Sequence, residues 1–379
     1  MDVVVRHCSK GPPMSSCSSV PAVSGCAHVR DSLAARHRLT ALRALCRAVV
    51  AGTLVGSLAA CGGGGSAASP EPAPAPTPVP SPPAATGPMD AVLSVPDPVG
   101  YDSERLAAFN RLNEIRLSAG LGMVAQQTQI DAAAQAHAEW EVANNVFSHE
   151  EVAGTTGFTG VNSAIREEAK GYEPVDVMEV MCNGAQGASC ADRLVNIAYH
   201  RAAMLAFEPV DVGIGRSVSS VSNVAEPIVV DFSCPGTDSV RGWGQKPQTS
   251  IDGLAVWPLG GATNVPVRMG LEIPNPVPAV DVGSLGTPVS ITVAQSRALT
   301  IGTFTLTKVG GGVPIALTTL SRGHDPNGLV PPSYVVAVPM APLDPGATYT
   351  AAFAGTVADI PSGTPVAISR TWTFTTAAN

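Results

Sequence analysis

Downstream of residue 61 the chain has four histidines, and three of them, His137, His149 and His200, fall in one helix-rich stretch. His149 stands in Val146-Phe147-Ser148-His149-Glu150-Glu151 and His200 in Ala198-Tyr199-His200-Arg201. Glu179 lies between them in Val177-Met178-Glu179-Val180, an acid in an otherwise apolar strand pattern. Two imidazoles and a carboxylate can work in two ways. With an open coordination position they suit Zn²⁺, whose bound water the carboxylate could deprotonate or orient. Alternatively, the carboxylate accepts a hydrogen bond from a buried imidazole and orients it, with no metal. His137 sits on the apolar side of its helix and reads as a core histidine; His324, in a Gly/Asp/Pro loop, reads as solvated. There is no H-E-x-x-H helix, G-x-S-x-G elbow, P-loop or dinucleotide fingerprint.

The elements that would hold these residues are legible from periodicity. After Asp102-Ser103, Leu106, Phe109, Leu112 and Ile115 recur at three-residue steps up to Gly120, which predicts a first helix. A second is expected over Gln129–Asn144, a third over Ser163–Lys170 and a fourth from about Ala191 to Leu205. Strands are expected at Val175–Cys182, Val210–Val218 and Ile228–Cys234. Helices separated by single strands suggest an α-β-α layering. Beyond about Gly242, short Val/Ile/Thr/Phe runs alternate with Gly/Pro/Asn/Asp clusters, the pattern of an all-β sandwich. Its clearest strands are Val289–Val293, Ile301–Val309, Ser333–Val338, Thr348–Phe353 and Arg370–Thr375.

In order along the helical region stand Phe109-Asn110-Arg111-Leu112-Asn113 with Arg116, Ala134-Gln135-Ala136-His137-Ala138, Phe147-Ser148-His149, Arg166 with Gly171-Tyr172, Glu179, Tyr199-His200-Arg201, and Val212-Gly213-Ile214-Gly215. This series resembles the CAP superfamily of cysteine-rich secretory, SCP-like proteins. The resemblance implies an α-β-α sandwich with a cleft in which His149, Glu179 and His200 form the catalytic or binding group, His149 and His200 being the candidate zinc ligands. Two departures stand out. Met178-Glu179-Val180 lacks the polar neighbours common around the strand glutamate, and the second carboxylate of the family's cleft has no clear counterpart, Glu150, Glu151 and Asp192 being the candidates. Leu343-Asp344-Pro345-Gly346-Ala347-Thr348-Tyr349-Thr350 with Trp372-Thr373-Phe374-Thr375-Thr376 is similar to bacterial Ig-like domains.

The amino-terminal part reads as an address. Arg36, Arg38, Arg43 and Arg47 precede the apolar run Ala48–Ala60, too short for a permanent span. Leu58-Ala59-Ala60-Cys61 resembles a bacterial lipobox, which implies a lipidated Cys61; ordinary cleavage nearby is the alternative. In a Gram-negative host, Gly62 rather than Asp after the cysteine implies outer-membrane sorting. Residues 1–30, before the signal, read as a start codon set too early or as a cytoplasmic extension. Ser66–Pro88, rich in Pro, Ala and Ser, is a tether of polyproline character. The expected organisation is therefore 1–60 extension and signal peptide, 61–95 lipidated cysteine and linker, 96–238 CAP domain, and 250–379 Ig-like domain, the last two folding independently.

Past residue 61 the chain carries 15 basic against 28 acidic side chains, net −13, which argues against nucleic acid as a partner. Cys182, Cys190 and Cys234 are the cysteines left there. In an oxidising compartment Cys182 and Cys190 are candidates for a disulfide around Asn183–Ser189, although sequence does not determine which two of the three pair. The expectation is an exported protein anchored by lipid in the cell envelope. Its cleft would bind a small apolar molecule, a peptide or a glycan; the alternative is a metal-dependent hydrolase using His149, His200 and Glu179, with zinc as its cofactor.

Overall fold

In the computed structural model the described residues are 90–220, 224, 226–235, 248–250 and 253–378. Cys61, the apolar run before it and the proline-rich tether lie outside them. Helix α1 (Ser103–Ser118) starts where Asp102 turns its side chain back to accept from the backbone N–H groups of Glu104 and Arg105, as an N-cap should. Strand β1 (Ala125–Gln126) is followed by α2 (Thr128–Asn144), which ends on Asn145 in the left-handed conformation, φ 54°. Then come α3 (Ser163–Ala169), β2 (Pro174–Asn183), α4 (Gly187–Val195), α5 (Ala198–Met204), β3 (Asp211–Arg216) and β4 (Pro227–Pro235).

The four strands form one sheet in the order β1-β3-β4-β2, antiparallel except for the short β1–β3 pair. Side-chain alternation along β2 separates two apolar layers: Val180 joins the large core with α1, α4 and α5, whereas Met181 packs with Ala134 and Ala138 of α2. The layering is α-β-α. Gly213 and Gly215 let α2 lie directly on β3. A Cβ on Gly213 would stand 2.3 Å from the backbone carbon of Ile130, and one on Gly215 would stand 2.1 Å from that of Ala134. Asn113 and Arg116, prominent in the sequence, are structural. Asn113 exchanges two hydrogen bonds with the backbone of Val124, and buried Arg116 donates to the carbonyls of Gly122, Met204 and Ala206.

Among the described residues, the remainder is all-β apart from a single 3₁₀ turn, Val282–Ser284. One sheet orders β5 (Ala255–Trp257), β6 (Val289–Thr292), β9 (Tyr334–Pro339) and β8 (Leu317–Leu320) as β5-β6-β9-β8; the other orders β11 (Val366–Thr375), β10 (Thr348–Asp359) and β7 (Arg297–Lys308) as β11-β10-β7. Both are antiparallel. Phe304, Phe353, Trp372 and Phe374 fill the space between the sheets.

Strand β9 is buried on both faces. Val335 and Ala337 face the sandwich interior, whereas Tyr334, Val336 and Val338 join the core that contains α4 and α5. The Tyr334 hydroxyl donates to the carbonyl of Ala198, and Arg201 donates to the Pro288 carbonyl and the Ser290 hydroxyl. Over the described residues, the two regions expected to fold separately thus share one continuous apolar core.

The expected fourth helix is two helices, α4 and α5, broken at Asn196-Ile197. The new helix start is satisfied from elsewhere in the chain. The first three N–H groups of α5, on Ala198, Tyr199 and His200, are taken up by the carboxylate of Glu272 at 2.7, 2.6 and 3.2 Å. A second helix N-terminus is therefore satisfied by a residue far along the chain.

Candidate functional site

Strand β2 is the outer strand of its sheet, so the two helical layers can meet around its free side. His149, in the turn after α2, comes from one layer and His200, on α5, from the other. Their ring centroids are 6.5 Å apart. Both line a cavity of about 650 Å³ with Phe147, Met181, Leu194, Ile197, Leu271 and Ile273, and with Ser148, Asn183 and exposed Arg193 as polar members.

Each imidazole is held from behind. Nδ1 of His149 is 2.7 Å from Oε1 of Glu179, and Nδ1 of His200 is 3.1 Å from Oε1 of Glu272. Neutral imidazole donating through Nδ1 keeps a lone pair on Nε2, the form that accepts a proton, a hydrogen bond or a metal. Burial lowers the pKa of His149, against the opposing pull of Glu179, and so favours that neutral form.

Glu179 is a well-held carboxylate. Burial pushes its pKa up, but Arg166 and the imidazoles of His137 and His149 outweigh that and hold it well below the usual range. Arg166, fully buried, pairs with Glu179 through its Nη2 and donates to the carbonyl of His149 at 3.2 Å. Across the strand pair, Asp231 faces Glu179, and burial together with that neighbouring charge raises its pKa well above the ordinary aspartate value.

His137 is outside the group. It is buried in α2, stacked on Trp140, with Nδ1 3.0 Å from Glu151 and Nε2 2.9 Å from the Ser148 carbonyl. None of the three acids proposed for the second carboxylate reaches the cavity. Glu151 serves His137 and the backbone N–H groups of Thr159 and Gly160, Asp192 pairs with Arg111 at 2.8 Å, and Glu150 is on the surface. The carboxylate behind His200 is instead Glu272, which stands back from the cavity and reaches it only through the imidazole. The local sequence Gly270-Leu271-Glu272-Ile273, an acid between two apolar residues, was the available sign, but nothing in it points to α5.

The donor set falls short of a zinc site. With both carboxylates engaged at the Nδ1 atoms, the two Nε2 atoms are half of a tetrahedral shell, and among the described residues no group of three His, Cys, Asp or Glu is placed to hold an ion. Cys182 at the cavity wall is bonded to Cys190, closing the Asn183–Ser189 loop, and Cys234 is free and buried.

With this geometry in view, the comparisons with known proteins identify the domain. Residues 109–232 match the model of the CAP, cysteine-rich secretory protein family. The chain carries a CAP domain there, and His149, Glu179 and His200 lie within the matched residues. Glu272 lies outside them. An outer surface protein of Borrelia burgdorferi is similar at 15% identity and TM-score 0.29, over 34% of this chain and 90% of that one. An extracellular SCP-domain protein of Bacillus anthracis is similar at 20% identity and TM-score 0.30, over 35% of this chain and 40% of that one. At those scores neither likeness bears on function. No curated protein matches.

Proposed function

We propose that this chain is an exported, lipid-anchored binding protein whose CAP cleft takes a small apolar molecule with a group that can donate a hydrogen bond. The cavity carries the reading. Its volume, about 650 Å³, suits a small ligand, its walls are mainly aliphatic and aromatic, and two imidazoles present Nε2 acceptors on one side. Walls of this kind favour an apolar ligand over a glycan. Hydrolysis has less support, because the metal that would activate water lacks a third protein ligand.

Anchoring is supported by Leu58-Ala59-Ala60-Cys61 after an apolar run. Among the described residues no helix is long and apolar enough to cross a membrane, so attachment would depend on acyl chains at Cys61. Two experiments test the proposal. Binding is read from the fluorescence of 1-anilinonaphthalene-8-sulfonate with the full chain: enhancement that saturates at one probe per chain and is lost in Met181→Asp supports the cavity, and no enhancement sinks it. Anchoring is read by detergent partition, which Cys61→Ser should abolish; a variant that still partitions removes the lipid.

A further inference from the structure

The segment Gly270–Ile273 lies outside the family-matched residues, yet all but Glu272 line the cavity. We infer that Leu271 and Ile273 are specificity-determining residues, a wall lent by the carboxy-terminal region that contacts the aliphatic part of the ligand and sets the length the cleft accepts. This inference rests on the reading of the cavity as a ligand site.

Three observations carry it. The segment is pinned: Glu272, only 2% exposed, is fastened to the N–H groups of Ala198, Tyr199 and His200 and to the His200 ring. It is also closely seated, since a Cβ on Gly270 would stand 3.2 Å from Cγ2 of Ile197. A second clamp holds the chain just beyond it, where Asn327 donates to the Asn275 carbonyl and to the Tyr199 hydroxyl, itself hydrogen-bonded to Asp325 at 2.6 Å.

With Glu272 turned into the protein, its two neighbours are left on the cavity side. Leu271 is 74% exposed and Ile273 37%, two large aliphatic side chains held in water by a buried carboxylate between them. A loop free to move would turn such residues inward. Here the pinning prevents that, so apolar surface stays directed at an apolar cavity, where a bound ligand would remove it from water.

The test uses the full chain carrying Cys61→Ser, with bound 1-anilinonaphthalene-8-sulfonate displaced by straight-chain primary alcohols of increasing length. For wild-type walls, affinity should rise about fourfold per added methylene until the wall is reached. In Leu271→Ser/Ile273→Ser the longer alcohols should bind at least tenfold more weakly while the shortest are unaffected. Val313→Ser, a control at an exposed aliphatic side chain away from the cavity, should leave the series unchanged. Both changes are on exposed side chains, and an unaltered melting curve verifies the fold. If the double variant binds the whole series as the parent does, the wall is overturned and the cavity reading survives. If the parent binds neither probe nor alcohols, both are overturned.

Discussion

Glu272 and His200 stand 72 residues apart in the chain, with Oε1 of one 3.1 Å from Nδ1 of the other. The same carboxylate accepts from three backbone N–H groups at the start of α5. One residue thus caps the start of α5 and holds an imidazole at the cavity. Glu272→Ala should lower stability by at least about 2 kcal/mol, the scale of leaving buried donors without an acceptor. Glu272→Gln, which keeps an acceptor oxygen, should lose less. Urea denaturation of both variants checks this; equal losses would mean that one retained acceptor oxygen does not suffice and that the contribution comes from the charge or from both carboxylate oxygens together.

The shared core predicts that the CAP region is not at full stability without its neighbour. Residues 96–250 expressed alone should melt well below the full chain and bind hydrophobic dyes across the surface uncovered by β9. Tyr334→Phe, which removes one buried hydroxyl donated to Ala198, should cost about 1 kcal/mol. A fragment melting at the full chain's temperature would show that the interface adds no stability.

Gly213→Ala should be among the most damaging small changes. Its Cβ would meet the backbone of Ile130, which cannot yield as a flexible side chain would, so α2 has to lift off β3. A loss of about 3 kcal/mol or more, or no soluble protein, is expected from overpacking of this kind. A melting temperature within a degree or two of wild type would contradict the close approach.

Reduction of Cys182–Cys190 should destabilise the chain by about 2–3 kcal/mol, the loop-closure value for a short ring. Because Cys182 is part of the cavity wall, probe affinity should fall as well. Denaturation with and without a reductant, compared with Cys182→Ser/Cys190→Ser, measures both effects.

Buried Glu141 makes stability depend on pH in a defined direction. Burial pushes its carboxyl up to about 9, one oxygen accepts from the Ser148 N–H, and the other has no hydrogen-bond partner. In the unfolded chain the same group titrates near its ordinary 4.5. Between those values the folded protein keeps a proton that the unfolded chain releases, so this contribution is intact below the lower value and is lost as pH rises towards the upper one. Glu141→Gln should flatten the decline between pH 5 and pH 8 relative to wild type in urea titrations. Parallel curves for the two proteins would assign the dependence to other groups.

Much of this protein is written in local pattern. The three-residue steps from Leu106 to Ile115 and the helix over Thr128–Asn144 follow from side-chain periodicity. The β9 strand is a continuous apolar run because both its faces are buried. Phe147-Ser148-His149, Glu179 and Tyr199-His200-Arg201 were grouped through the resemblance to the CAP family, Glu179 also standing out as an acid in an apolar strand pattern. The tertiary structure decided the rest. It placed His137 with Glu151, separated α4 from α5, and brought Glu272, Leu271 and Ile273 to a cleft whose other walls precede them by many residues. No local pattern carries that information. A carboxylate's partner is whichever donor the fold leaves unsatisfied, and here those donors are the first N–H groups of α5, which a residue far along the chain reaches only in the folded protein.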